Sequence, residues 1–275
     1  MKTRCASRME TSFWSMNREM TPAHKVSFIR EIDATLLDRA RLSVGRASYT
    51  AMVVKAAAHL LLEFPYLNRG IFPGWLGKRL VEFESTDIAV AVERRVPNAD
   101  AIVYAHVLRD VEHRDCRTLH TDLMNLSDPN ETQHLQRWQN FLWLMQHTPT
   151  WLAQYLIGAP KYSPRLWQEH RGGACFVNSP AKYGVDWLVA DMIWPLTFSF
   201  GWVKERPWVV DSTVQVRRTM PLIMIFDRRI MQGALAAQAF NRFAQILETA
   251  DPNVFAGRDT GRWSAAQVQT QAYAC

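Results

Sequence analysis

The junction at residues 226–233 constrains the fold of this chain more than any other stretch. Its sequence is Phe226-Asp227-Arg228-Arg229-Ile230-Met231-Gln232-Gly233. The preceding segment, 213–226, is rich in apolar residues and predicts a strand. The following segment, 234–250, carries apolar residues three and four positions apart and predicts an amphipathic helix. The sequence therefore predicts a strand that passes through a short loop into a long helix with one face in the core.

The rest of the chain predicts strands in several blocks with helices between them. Apolar alternation predicts strands at 24–32, 87–92, 101–108, 174–179 and 196–204. Helical spacing predicts helices at 34–40, 49–64 and 116–126 and a helical pair at 131–157. This grouping favours an α+β sandwich over an alternating parallel sheet. No Gly-, Ser- or Pro-rich linker divides the 275 residues, so we predict one domain, 1–275, with a peripheral tail at 252–275.

Composition narrows the class of protein. The net charge of +6 comes from scattered basic residues, which predicts a basic solvated surface and no nucleic-acid partner. The four cysteines lack C-x-x-C spacing and the histidines lack ligand spacing, so we expect reduced thiols, a cytoplasmic location and no metal site. The most apolar stretch, 141–160, is interrupted by polar residues and falls short of the ~18–20 apolar residues of a membrane span. Integral membrane association is therefore not expected.

The junction resembles the F-D-H-R-x-x-D-G signature of the catalytic domain of 2-oxoacid dehydrogenase acyltransferases, relatives of chloramphenicol acetyltransferase. Four further blocks resemble the same family in the same order: F-P-Y-L-N at 64–68, D-I-A-V-A-V at 87–92, G-A-C-F-V-N-S at 173–179 and G-W-V-K-E-R-P-W-V at 201–209. The resemblance implies a chloramphenicol acetyltransferase-like two-layer α+β sandwich with a mixed sheet. It also implies a homotrimer with sites between subunits. With no lipoyl or subunit-binding segment preceding it, we expect a free-standing catalytic core.

The chain departs from the family at its chemistry. In the family the signature His is the general base, and the Asp holds an arginine that shapes the site. Here Arg228 stands in place of the His and Gln232 in place of the Asp. A guanidinium stays protonated at any usable pH and cannot act as a base. The family's Ser-Asn-Leu-Gly turn becomes Ser179-Pro180-Ala181-Lys182, so Lys182 is expected to reshape the wall of the substrate tunnel.

Two interpretations of Arg228 stay open. Arg228 either binds an anion, such as a carboxylate, a phosphate or a developing oxyanion, or forms a structural salt bridge, for instance with Asp227. The resemblance puts Ser179 where the family hydrogen-bonds a tetrahedral oxyanion; without a base, an ordinary strand serine is the alternative. Gln232 can donate and accept hydrogen bonds but cannot replace an ion pair, which favours a neutral structural role.

Two histidines are candidates for a relocated base. His24 and His106 lie on predicted strands that the family brings near its channel, although a histidine on an alternating strand is more often structural. Cys175 precedes an apolar strand and is expected to be a core thiol and not a nucleophile.

The segment 131–171 is predicted to be an aromatic helical insertion. Its Trp143 and Trp151 are candidates to cap a hydrophobic substrate channel. The alternatives are contact with a membrane surface, cover for one edge of the sheet, or contact with another subunit. A cap or an interface is favoured over a membrane contact.

Two functions follow from the resemblance and its departures. The first is an acyltransferase-type enzyme that acts on a small acyl thioester of coenzyme A or of a carrier, and on an acceptor, by a mechanism without the family's base. Coenzyme A thioester would then be a substrate, with no permanently bound cofactor. The second is a non-catalytic relative that serves as a binding or assembly subunit.

Overall fold

The computed structural model describes residues 24–75, 77–96, 100–128 and 136–255. The described strands are β1 (Lys25–Asp33), β2 (Arg69–Gly74), β3 (Gly77–Glu82), β4 (Ile88–Arg94), β5 (Ile102–Leu108), β6 (Cys175–Asn178), β7 (Leu196–Phe200), β8 (Lys204–Val210) and β9 (Thr213–Asp227). The described helices are α1 (Thr35–Ser43), α2 (Tyr49–Glu63), α3 (Cys116–Ser127), α4 (Gln136–His147), α5 (Thr150–Gly158), α6 (Pro164–Arg171), α7 (Gly233–Thr249) and α8 (Pro252–Phe255).

One mixed sheet organises the chain. Its strands run in the order β1-β9-β7-β6-β4-β5, and β8 pairs with the other half of β9. The pairs β4–β6 and β6–β7 are parallel, and the remaining pairs are antiparallel. The predicted α+β fold with a mixed sheet is thereby confirmed.

The sheet is centred on the long strand β9. Its second half, from Thr219 onward, is buried along its whole length because β1 and β7 pair on either side. Its first half extends outward with β8 as an exposed hairpin. The two loop residues, Asp211 and Ser212, have φ values of 48° and 61°, as tight hairpin turns require.

Helices cover one face of the sheet. The helix α2 begins at Tyr49 because the Ser48 side chain accepts a hydrogen bond from the Ala51 N–H group. The apolar sides of α2 and α7 pack against each other and against the sheet, and together with α1 and α3 they form the main core. In that core Phe198 of β7 contacts Phe243 of α7, with ring centroids 4.0 Å apart.

The other face of the sheet is covered in part by the β2–β3 hairpin and two tryptophans, Trp167 and Trp194. Asn68 fixes this layer: its side-chain amide donates to the carbonyls of Phe83 and Ser85, and its Oδ1 accepts the Ala174 N–H group. A Cβ at position 173 would lie 2.8 Å from Asn68 Oδ1, so glycine is needed there. The F-P-Y-L-N and G-A-C-F-V-N-S blocks are therefore in direct contact.

Three features differ from the sequence predictions. The β2–β3 hairpin was not predicted, because Pro73 and its glycines obscure the strand pattern. The segment 204–210 is a strand of its own and not the end of β7, which stops at Phe200. The tail expected to be peripheral from 252 begins with α8, whose Val254 and Phe255 are buried in the core. Residues 256–275 lie outside the described part.

The aromatic segment is helical in its described part, residues 136–171. Trp138 of α4 stacks on Phe141 and contacts Tyr104 of β5. The segment thus packs on the β5 edge of the sheet through α4. Residues 131–135, where the insertion was predicted to begin, lie outside the described part.

Candidate functional site

Arg228 lies at the end of β9, beside the start of β1. Its backbone N–H group donates to the carbonyl oxygen of His24 over 2.9 Å, so these two predicted site residues are neighbours. Its side chain is exposed. Within residues 24–75, 77–96, 100–128 and 136–255, the guanidinium makes no hydrogen bond and no ion pair. Arg228 therefore carries a positive charge that no described side chain neutralises.

The salt bridge suggested between Arg228 and Asp227 is wrong. The Asp227 carboxylate is held by Arg229, through Nε at 3.0 and 3.1 Å and Nη2 at 2.5 Å, and it also accepts the Arg229 N–H group at 2.9 Å. Burial raises the pKa of Asp227, but these bonds outweigh it and hold the pKa below its usual value. Because consecutive residues point in different directions, Arg229 turns back to the carboxylate while Arg228 faces solvent.

Lys25 is a nearby group that the sequence analysis missed. It pairs with Asp227 across β1 and β9, and its ammonium group donates to the Trp194 carbonyl. Burial lowers the pKa of Lys25 to about 8, although Asp227 and Asp191 act to raise it. The pKa of Lys25 is lowered because the folded chain shields its ammonium group from water. A linear sequence does not show which side chains will be shielded in this way.

Gln232 occupies the N-cap position of α7. Its φ of −80° and ψ of 155° suit a capping residue, but its side chain makes no capping hydrogen bond. The side chain is exposed, and a Cβ added at the following Gly233 would meet no atom within 4 Å. The start of α7 is therefore open on the side of the loop that carries Arg228.

Ser179 lies at the opposite end of the sheet from Arg228. Its hydroxyl donates to the Phe200 carbonyl over 2.8 Å and accepts the Ala181 N–H group at 3.2 Å. Phe200 pairs with Leu222, and Arg228 follows six residues later in the chain. At ~3.3 Å per residue, Ser179 and Arg228 are roughly 20 Å apart within one copy.

A group of buried polar side chains next to Ser179 was also missed. Asn178 is directly opposite Ser199 in the β6–β7 pair, and Thr197 lies two residues earlier on the same face. Asn178 Oδ1, Thr197 Oγ1 and Ser199 Oγ are all buried and have no hydrogen-bond partner among the described residues. Buried polar atoms are normally paired, so three orphans on one face are unusual. Alternation along β7 (L-T-F-S-F) is the sequence signal that could have found two of them.

His106 is not brought to Arg228. It lies on β5, four strand spacings from β9, which is about 19 Å. Burial lowers the pKa of His106 to about 4, and Arg94, Arg137 and Arg109 lower it further in the same direction. At neutral pH the ring is uncharged and weakly basic.

The other predicted substrate-binding residues are on the surface. Lys182 is ion-paired with Glu93, which also accepts the Tyr183 hydroxyl. Trp143 and Trp151 are 60% and 64% exposed, and Trp143 stacks on His147. The two tryptophans therefore do not cover a channel formed by the described residues of a single copy.

The remaining predicted features concern Cys175, metal ligands and membrane-spanning helices. Cys175 is fully buried in the core, as predicted, and burial raises its pKa. Within the described ranges, no three His, Cys, Asp or Glu side chains gather as a metal site would require. Among the described helices, none is long and apolar enough to cross a bilayer.

Comparison with known proteins supports the resemblance seen in the sequence. Residues 166–255 match the family described as 2-oxoacid dehydrogenases acyltransferase (catalytic domain). The acetyltransferase component of the pyruvate dehydrogenase complex of Zymomonas mobilis is 21% identical over 226 residues, 79% of this chain and 42% of that protein. The lipoamide acyltransferase component of the branched-chain alpha-keto acid dehydrogenase complex of Bacillus subtilis is 20% identical over 249 residues, 86% of this chain and 50% of that protein. The chain thus spans half the length of these relatives or less.

Solved structures share the fold. A probable dihydrolipoamide acetyltransferase from Listeria monocytogenes superposes with a TM-score of 0.67 at 17% identity, covering 96% of this chain and 99% of that one. The dihydrolipoamide acetyltransferase of Azotobacter vinelandii gives 0.65 at 17% identity, covering 92% and 93%. The residues investigated for the catalytic mechanism of the Azotobacter enzyme are a serine, a histidine and, four positions after it, an asparagine.

These matches agree with one another and with the blocks from which the resemblance was inferred. The family match begins in α6 and runs through β6, the Arg228 loop and α7, and the structural match extends over nearly the whole chain. The chain is therefore related to the catalytic domain of the 2-oxoacid dehydrogenase acyltransferases, whose sequence pattern it carries at 166–255 and whose fold it has.

Proposed function

We propose that this chain is an acyltransferase-type enzyme that acts on a thioester of coenzyme A or of an acyl carrier. Its relatives are acyltransferase components, and the loop that carries the family's signature is intact in length from Phe226 to Gly233. The mechanism differs from the family's because Arg228 cannot accept a proton. No cofactor needs to be bound permanently; a coenzyme A thioester would enter as a substrate.

The observation that carries the proposal is the exposed guanidinium of Arg228, which pairs with no side chain in the described part of the chain. Asp227 is already neutralised by Arg229, so Arg228 is not needed to hold the loop. A cation at the end of a buried strand can stabilise a developing oxyanion or bind the phosphates of a thioester substrate. Positioning of the two substrates can supply ~7 kcal/mol or more of the barrier reduction, which offsets part of the lost base.

Proton transfer in this mechanism has two local candidates. The backbone of His24 is bonded to that of Arg228, and Lys25, with a pKa near 8, follows it in β1. A lysine whose pKa is lowered towards neutrality can accept a proton from an attacking thiol or amine. His106 has no part in this proposal, because it lies across the sheet.

A shared site between copies is part of the proposal. Ser179 and Arg228 are at opposite ends of the sheet, so they can serve one thioester only if a neighbouring copy supplies one of them. A homotrimer would provide this arrangement three times. The β8–β9 hairpin offers an apolar surface for such contact, since Val209, Val214 and Val216 are each about 70% exposed.

One observation favours a second function, a non-catalytic binding or assembly subunit. The Ser179 hydroxyl is occupied by two local hydrogen bonds that define the turn after β6. A serine in this state is a structural residue unless the turn rearranges. The fold would then be retained for assembly, and Arg228 for binding an anionic partner.

Thiol release distinguishes the two functions. The purified chain is incubated with acetyl-coenzyme A, longer acyl-coenzyme A thioesters and an acyl thioester of N-acetylcysteamine, with and without amine, alcohol and thiol acceptors. We expect acceptor-dependent thiol release that falls at least ~10-fold in Arg228→Met. Arg79→Met, at an exposed arginine of β3, is the matched control and should keep the rate. No release from any thioester would favour the non-catalytic subunit.

A further inference from the structure

A small cationic cavity lies between β4, β5 and the start of α4, away from the Arg228 loop. Its volume is about 130 Å³. The lining residues are Arg94, Tyr104, His106, Gln136, Arg137 and Trp138. The first three leave the same face of the β4–β5 pair, because Tyr104 and His106 are register partners of Val92 and Val90. The helix α4 closes the opposite side.

Arg94 is the unusual member of this group. The residue is 5% exposed, and its Nε is buried without a hydrogen-bond partner. Across the described ranges, 24–75, 77–96, 100–128 and 136–255, its guanidinium pairs with no carboxylate. Its nearest aromatic contact is the Trp138 ring, with Cζ 5.8 Å from the ring centroid. A buried charge is normally paired, because taking an ion out of water is costly.

Among the described residues, the lining of the cavity and Arg109 nearby supply positive charge. Arg137 is held over it by a hydrogen bond of 2.9 Å from its Nη1 to the Glu169 carbonyl. Arg109, whose charge also lowers the pKa of His106, is paired with Asp87. His106 is neutral at pH 7 because its pKa is about 4. The six lining residues therefore present two guanidiniums and no acidic group.

We infer that this cavity binds a small organic carboxylate, with its carboxylate on Arg94 and Arg137 and its apolar part against Trp138 and Tyr104. A guanidinium matches a carboxylate through two parallel hydrogen bonds. Aromatic walls suit an apolar body but not a phosphate, which keeps more charge and needs more donors. An engineered closed cavity of ~150 Å³ holds a benzene molecule. This cavity is slightly smaller but opens to solvent beside the exposed Arg137, so benzoate is the largest ligand we expect it to take, with part of the molecule at the opening.

This site is distinct from the one proposed for acyl transfer. It lies on the edge strand β5, four strand spacings from Arg228, and it is built by α4 from the aromatic segment. The inference therefore does not rest on the proposed function and can hold or fail separately. Carboxylate binding would give the aromatic segment a role through its buried side, where Trp138 lies, and not through its exposed side.

Benzoate is the probe that tests the inference, with benzyl alcohol as a neutral molecule of similar shape and inorganic phosphate as a second anion. Isothermal titration of the full chain should show binding of benzoate and little binding of benzyl alcohol or phosphate.

Arg94→Met should weaken benzoate binding about 10- to 100-fold, the effect of one charge-assisted contact. Without ligand, Arg94→Met should keep or raise the melting temperature, because it removes an uncompensated buried charge. Arg79→Met is the matched control and should bind as the wild type does.

Two measurements keep the test decisive if Arg94→Met does not fold. Arg137→Met changes an exposed side chain and should also weaken benzoate binding. In the wild type, saturating benzoate should raise the pKa of His106 from about 4, which the NMR signals of its ring report. Equal binding of benzoate and benzyl alcohol, no binding at millimolar concentration, or tighter binding of phosphate would each overturn the inference.

Discussion

Arg229 closes on the carboxylate of Asp227 and leaves Arg228, its neighbour in the same loop, facing solvent. The two adjacent arginines thus have different roles despite their identical chemistry. The buried carboxylate needs one cation, and the geometry of the loop selects the second arginine. The first is available for a ligand or for another copy of the chain.

Matched substitutions test this division of roles. Arg229→Met should lower the free energy of unfolding by about 1–3 kcal/mol, because it removes the side-chain cation that pairs with the buried Asp227 carboxylate. Arg228→Met should change it by less than ~0.5 kcal/mol. Urea unfolding at pH 7 measures both. The pKa of Asp227 is lowered in the folded state, so its contribution is present at neutral pH and is lost as the pH falls through that pKa. Similar losses in both variants would contradict the assignment.

The oligomeric state tests the shared site. Static light scattering at micromolar concentration should give a trimer or a multiple of three. Val214→Lys with Val216→Lys, on the exposed hairpin, should shift the mass towards the monomer, since two charges oppose burial of that surface. A wild-type monomer would remove the reason for placing Arg228 opposite a neighbour's Ser179.

The exposed tryptophans of the insertion have a test of their own. Trp143→Ala with Trp151→Ala should change the oligomeric state or lower the stability of the assembly, because each residue exposes an aromatic side chain that an interface or a cap would bury. Association with lipid vesicles should be unaltered. Trp75→Ala, at another exposed tryptophan, is the control. Strong vesicle binding by the wild type that this double variant loses would instead support contact with a membrane surface.

The lowered pKa of Lys25 predicts that the free energy of unfolding changes with pH above neutrality. Its pKa is about 8 in the folded chain and near 10.5 in the unfolded chain, so the unfolded chain binds more protons between these values. Stability should therefore rise with pH from about 8 to 10.5, by up to ~3 kcal/mol. Lys25→Met should abolish that rise, whereas Lys78→Met, at an exposed lysine, should retain it. Chemical unfolding at several pH values measures the slope; an unchanged slope in Lys25→Met would exclude this lysine.

The sequence predicted the scaffold better than the site, for a physical reason. Strand alternation and helical spacing are local, so β9, α2 and α7 could be placed within a few residues. The β2–β3 hairpin was lost because Pro73 and the glycines break the local pattern. Arg228 and Gln232 stood out because a motif fixes their positions.

The remaining site features depend on tertiary structure. Which arginine holds Asp227 is decided by the direction of each side chain in the loop, which the order of residues does not give. The lowered pKa of Lys25 and the burial of the Arg94 guanidinium both result from packing by distant segments. The separation of Ser179 from Arg228 follows from the directions and register of β6, β7 and β9, which the motifs alone did not reveal.

A single substitution at Gln232 serves as the control for restoring both family residues, at 228 and 232. Because it is an N-cap without a capping bond, Gln232→Asp should stabilise the chain by about 0.5–1 kcal/mol, whatever the site does. Thermal and urea unfolding measure this gain. The gain in Gln232→Asp alone shows how much of a stability change in the double variant Arg228→His with Gln232→Asp comes from helix capping and not from the site.

Restoring both family residues, Arg228→His with Gln232→Asp, tests what the substitution at 228 has done. Since the guanidinium is exposed and unpaired in the described chain, we expect this variant to lose the wild-type thiol release or anion binding. Loss of a charge-assisted contact to a bound anion commonly costs several kcal/mol. The assay is thiol release across the acyl-thioester panel, compared with Gln232→Asp alone. Acyl transfer that exceeds the wild type would show that Arg228 only disables an ancestral site, because the strand and the helix that flank it, and Ser179 at the other end of the sheet, are unchanged.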